Sequence, residues 1–155
     1  MIRLPLFASA CLALAACGVG SPADSKAAKV CNTMLAGDPE IVEDLAEDGD
    51  TIEVYCGCYA TLLANKTEDV QATILKVSQV VSDIRAENDL HLEEAAGRLM
   101  ADFIEDGSSP TYGVTRDGFE TTGSYIDTVR RALNNWLHCN PQAGQSWQQN
   151  PVDTN

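Results

Sequence analysis

Residues 51–63 read TIEVYCGCYATLL, and the placing of their two cysteines decides what kind of fold the chain builds. Ile52, Tyr55, Tyr59, Leu62 and Leu63 recur at helical spacing and fall on one arc when residues advance about 100° each. Cys56 lies at one edge of that arc and Cys58 at the other, roughly 160° apart by the same rule. Two thiols that diverge so far on a continuous helix cannot bond to each other. Each must reach a different neighbour, so the helix that carries them is stapled on two sides.

The partners available within the folded part are Cys31 and Cys139. Four cysteines admit three pairings, and the helix geometry removes the one that joins Cys56 to Cys58. An even number of cysteines in an exported chain reads as disulfides, because the compartment is oxidising. Cys31 lies in the first helical stretch and Cys139 at the end of the last, so the 51–65 helix is expected between the two terminal ones. The helical arc leaves open which cysteine takes which partner; the pairing adopted is Cys31–Cys58 with Cys56–Cys139. Loops of about 28 and 84 residues closed in this way contribute roughly 3–4 and 4–5 kcal/mol as upper estimates.

The rest of the chain agrees with a helical architecture. Val70, Ile74, Val77, Val81 and Ile84 follow a 4-3-4-3 spacing. Leu92, Ala96, Leu99 and Phe103 follow the same rule, as do Phe119, Thr122, Ile126, Val129, Leu133 and Trp136. Each set is one apolar stripe on a polar helix, and no stretch shows the sustained alternation of a strand. Start signals stand before the stripes: Asp38 before Pro39, Asp50 with Glu53, Thr67, Asn88-Asp89 and Thr115. The pattern predicts helices near 25–36, 39–47, 51–65, 68–86, 90–105 and 116–139. The expected fold is all-α, a small disulfide-stapled bundle of five to six helices spanning 27–140. From Pro141 to Asn155 the chain is polar and without periodicity, so a disordered tail is expected, with Trp147 as its one large apolar residue.

The N-terminus carries an address. Arg3 precedes an uncharged stretch, Leu4 to Ala16, that would make a helix of roughly 20 Å, too short to cross a bilayer. A basic start and a short apolar run read as an export signal. Leu14-Ala15-Ala16-Cys17 resembles the lipobox of bacterial lipoprotein precursors. That resemblance implies cleavage before Cys17 and acylation of its thiol, with residues 1–16 removed and 17–26 left as a flexible tether of about 17 Å reach. Stable anchoring needs two or more chains, at about 0.8 kcal/mol per buried methylene. Gly18 after the cysteine implies an outer-membrane position facing the periplasm in a Gram-negative host. Cys11 fits the motif less well, since Ala8 stands where a larger aliphatic residue belongs.

Charge limits the partners. The 155-residue chain carries 10 Lys and Arg against 23 Asp and Glu, a net charge of −13. Without residues 1–16 it has 139 residues and, with Arg3 gone, a net charge of −14. Such a body is repelled by nucleic acid and by anionic headgroups, so Cys17 must supply the membrane attachment. A protein partner would present a basic face. The densest acid, EIVEDLAEDGD at 40–50, lacks the alternating ligands, central glycine and final glutamate of an EF-hand loop, as does the run from Asp106 to Asp117. Its expected role is a solvated helix face.

Two chemical readings of the cysteines compete with the structural one. Cys56-Gly57-Cys58 as a redox dithiol lacks the Cys-x-x-Cys spacing at a helix N-terminus that lowers a thiol pKa. Zinc held by Cys56, Cys58, His138 and Cys139 is geometrically awkward, because two of the ligands are adjacent. His91, between two leucines, reads as a helix-surface or packing residue. No Gly-x-Ser-x-Gly, phosphate loop or His-Glu-x-x-His occurs. The sequence therefore points to a non-catalytic envelope module for interaction, assembly or inhibition, without metal or cofactor. A redox protein and a carrier of a small apolar ligand between the helices are the alternatives.

Overall fold

A computed structural model describes residues 25–105, 110–134 and 139. The signal, the lipobox, most of the tether, His138, Trp136 and the tail with Trp147 lie outside these residues. Six helices follow in order: α1 (Lys26–Leu35), α2 (Pro39–Glu47), α3 (Ile52–Leu63), α4 (Glu68–Asn88), α5 (Leu92–Glu105) and α6 (Arg116–Asn134). The all-α, disulfide-stapled bundle expected from the pattern is the architecture found, and no strand occurs among the described residues. No helix there is long and apolar enough to cross a membrane.

Local chemistry sets most of the boundaries. Ser25 caps α1 through the Ala28 N–H at 3.1 Å, and Thr115 caps α6 through Gly118 N–H at 3.1 Å. Three start signals act differently from expectation: Thr67 stands at the N-cap of α4 but makes no side-chain cap hydrogen bond, and two others shift their role. Thr51, not Asp50, caps α3, accepting from Val54 N–H at 3.3 Å. Asp89 ends α4 rather than opening α5, because its left-handed φ of 53° closes the helix with its N–H on the Arg85 carbonyl. An aspartate can hold that conformation because its short polar side chain tolerates it.

Four helices form the bundle proper. α1 packs on α3 and α4, and α6 packs on the same two, so α3 and α4 lie across the diagonal from each other. Tyr59 of α3 fills the centre. Its hydroxyl lies 3.1 Å from Ser78 Oγ on α4, its ring meets that of Tyr125 on α6 edge-on at 5.1 Å, and the Tyr125 hydroxyl donates to the Tyr59 carbonyl. Burial pushes the phenols of Tyr59 and Tyr125 up, and that of Tyr55 to about 12, so all three stay neutral. A buried aromatic of this size contributes about 1.5–3 kcal/mol through burial alone.

Two stripes depart from their expected register. On α6, Tyr125 is buried and Ile126 only partly, because Tyr125 follows its hydrogen bond inward. On α5, Ala95 and Leu99 are buried against the bundle, while Leu92, Ala96 and Phe103 are partly buried.

The pairing of cysteines is Cys31–Cys56 and Cys58–Cys139, with Cα separations of 5.5 and 4.8 Å. The adopted pairing was the reverse. A helical arc gives the angle between two side chains but not which neighbour stands on which side. Here α1 lies on the Cys56 edge and Cys139 on the Cys58 edge. The expectation that α3 sits between the terminal helices and is stapled to both sides is met.

Candidate functional site

Helix α5 lies outside the four-helix square, on α4 and the edge of α6. Two buried aspartates hold its ends. At the start, Asp38 is 1% exposed. Its Oδ1 accepts from the Glu40 and Ile41 N–H groups at 3.2 and 3.4 Å, capping α2, and its Oδ2 accepts from Leu92 N–H at 2.7 Å. The Arg85 guanidinium stands 3.4 Å from Oδ2. Arg85 also donates to the carbonyls of Met34 and Leu90, so one ion pair ties the end of α1 and the starts of α2 and α5 to α4. Burial pushes the Asp38 carboxyl up, but the three backbone donors and Arg85 outweigh it and hold it below the usual carboxylate range.

At the far end, Asp102 accepts from Thr111 N–H at 3.1 Å and Tyr112 N–H at 3.3 Å. Those donors, with the Thr111 hydroxyl, overcome its desolvation and hold its carboxyl low. Beside it, Phe103 meets Phe119 of α6 edge-on at 5.5 Å. The segment that leads into α6 is thereby fixed to the last turn of α5.

Between these clamps the two helices do not close. The facing residues are small, Ala96 on α5 and Gly123 on α6, and a Cβ built on Gly123 would meet nothing within 4 Å. The result is an apolar groove of about 290 Å³. Its floor is Val77 and Val81 of α4, its walls are Leu92 and Ala96 on one side and Phe119 and Ile126 on the other, and Met34 closes one end. The two hydroxyls inside are already engaged: Ser78 with Tyr59, and Thr122 with the Gly118 carbonyl at 2.8 Å. Asp127 is the single charged side chain in the lining. The walls therefore suit an apolar body, and the mouth suits a cation.

Comparison with known proteins finds no match: no family model, no curated protein and no solved structure. The groove must be read from its own chemistry.

The expected cysteine sites fall elsewhere. Cys31, Cys56 and Cys58 are buried at 0–1% exposure and Cys139 is half-buried. Cys56 and Cys58 are bonded to different partners, so they form neither a dithiol nor a thiolate pair for zinc. A buried sulfur offers an attacking thiol no approach. The acids of 40–50 are exposed except for half-buried Asp50, as a solvated face requires, and Asp44 pairs with Arg130 of α6 at 3.5 Å.

His91 does more than pack, since its Nδ1 lies 3.6 Å from Asp38 Oδ1. Asp38, Glu40 and His91 could offer ligand atoms within 4.8 Å of one another. Both Asp38 oxygens are committed to backbone donors and Arg85, however, and a cation there would face the guanidinium. Sequence reasoning identified Asp38 only as a helix cap. The signal that was available is the spacing of Asp38, Arg85 and His91 beside helix ends, which becomes a pattern only once the helices are packed.

Proposed function

We propose that the protein is a lipid-anchored lipoprotein of the cell envelope whose acidic helical body is a non-catalytic docking module. The observation that carries this reading is the groove between α5 and α6: apolar, open, with its two hydroxyls already engaged and Asp127 as its one charged side chain. A reacting site needs a poised acid, base or nucleophile. The buried carboxylates Asp38 and Asp102 instead saturate their oxygens on backbone donors, which suits scaffolding. Anchoring rests on Leu14-Ala15-Ala16-Cys17, with an outer-membrane position following from Gly18 in a Gram-negative host. The net charge of −13 supports a partner with a basic face and disfavours nucleic acid.

The test combines mass and cross-linking. Purified from membranes and alkylated without reductant, the chain should begin at Cys17, carry acyl mass and bear no alkyl groups. Cys17→Ser should release it from the membrane fraction. A photo-crosslinking side chain in place of Gly123 should give a discrete adduct in the envelope, and one in place of Ala72, exposed on α4, should give none. Membrane retention of the Cys17→Ser chain would overturn the anchor, and the absence of an adduct at Gly123 would overturn the docking role.

A further inference from the structure

The apolar surface does not end with the groove. Met100 lies one turn beyond Ala96 on α5, 49% exposed, and Ile104 one turn further, 73% exposed. From Leu92 to Ile104 this makes a strip of about 18 Å, or some three turns. A small molecule filling about 290 Å³ would cover Leu92 and Ala96 and leave Met100 and Ile104 in water. An occupant that covers the whole strip is elongated and carries apolar side chains at intervals of three to four residues.

Charge narrows its nature. Asp127 stands at the groove mouth and Glu93, exposed, beside Leu92. Of the arginines on α6, Arg116 is paired to Glu120 at 3.5 Å and Arg130 to Asp44 at 3.5 Å, and Arg131 donates to the Thr128 hydroxyl at 3.3 Å. A second copy would bring another −13 against these carboxylates, and an anionic lipid surface would be repelled in the same way. We infer that the strip and groove dock an amphipathic helix of a partner protein, its apolar face seated between α5 and α6 and its flank carrying Lys or Arg opposite Asp127 and Glu93. This rests on the docking role proposed above and names the occupant.

The test uses the full chain in phosphatidylcholine nanodiscs, with empty discs as the blank. The probes are two labelled 18-residue model helices, one of Leu and Lys, the other of Leu and Glu. The Leu/Lys helix should bind saturably and more weakly as salt rises. Gly123→Leu, which puts a side chain into the groove, should weaken it at least tenfold. Ala72→Leu on α4, exposed and outside both the groove lining and the strip, should leave it unchanged. Circular dichroism of both variants checks that the bundle is intact. Equal affinity for the Leu/Glu helix, still lost in Gly123→Leu, would overturn the basic partner while the docking groove stands. Binding indifferent to Gly123 with either probe would overturn both. A nitroxide at Met100 that reads burial in lipid before peptide is added puts the bilayer on the strip, and pairing of chains on the discs that Gly123→Leu abolishes puts a second copy there. Either result overturns the inference.

Discussion

Helices α3 and α5 are each held at two points, but by different chemistry. α3 is tied by disulfides to α1 and to Cys139, both through buried sulfurs of its own. α5 is tied by carboxylates, Asp38 at its start and Asp102 near its end. Covalent ties leave α3 no freedom and let it fill the centre with Tyr59. Polar ties fix only the ends of α5 and leave its middle standing off α6, and the groove is that gap. The rigid half thus supports the half that can receive something.

The sharpest way to break this contrast is to cut the longer staple. Replacing Cys58 and Cys139 together by Ser opens a loop spanning 81 residues and should cost about 4–5 kcal/mol as an upper estimate. The Cys31–Cys56 closure, spanning 25 residues, should cost about 1 kcal/mol less. Urea unfolding of the two double variants measures both. Equal losses would mean that loop length does not govern the stapled half. Cys139 being the half-buried member, mild reductant should open its bond first, as timed alkylation would show.

Removing the clamp on α5 comes next in size. Asp38→Ala leaves the Arg85 guanidinium facing a vacated, buried site and uncaps α2. Breaking a buried pair in this way costs about 3–5 kcal/mol. The lower end applies here, because Arg85 keeps the carbonyls of Met34 and Leu90. Hydrogen exchange should rise first in α5 and α2 while α3 stays protected. Uniform loss of protection would mean that the two halves are one cooperative unit.

A smaller effect separates the ties by pH. The Asp38 and Asp102 carboxyls are held below the unfolded value of 3.8. As pH falls the unfolded chain takes up the protons first. Their contribution is therefore present in full above that value and is lost as pH drops through the folded pKa values. The urea midpoint should fall between about pH 5 and pH 2, and Asp38→Asn should flatten the fall. A midpoint equally steep in that variant would assign the acid sensitivity to other carboxylates.

The same contrast explains what the sequence disclosed. Cysteines are few, and their spacing on a helix with one apolar arc has a single geometric consequence, so the stapling of α3 on two sides was legible from residues 51–63. The side on which each staple lies was not, because a helical wheel carries no hand for its surroundings. Asp38 and Asp102 are two of 23 acidic residues, and nothing local marks the pair that turns inward. Their partners, Arg85, Leu92, Thr111 and Tyr112, include main-chain groups that no composition reveals. The α5 stripe was visible, yet a stripe shows which face is apolar and not whether a neighbour covers it. The groove exists because Ala96 and Gly123 come opposite each other, a coincidence of two helices far apart in sequence.

Gly123 gives the smallest and most discriminating test. A helix-interior glycine costs about 0.5–1 kcal/mol relative to alanine through the backbone freedom it surrenders on folding. Gly97 and Gly123 both lie within helices, and a Cβ at either meets nothing within 4 Å. On folding grounds alone, Gly97→Ala and Gly123→Ala should therefore stabilise the chain equally, by about 0.5–1 kcal/mol in urea. Only Gly123 lines the groove. If the groove is where a partner sits, the Gly123 adduct or bound helix is lost as the side chain grows from Ala to Leu, while a matching series at exposed Ala72 on α4 stays flat. The glycine at position 123, costly for stability, then has its reason in the space it leaves open. Parallel behaviour of the two series would make the gap between α5 and α6 a packing accident.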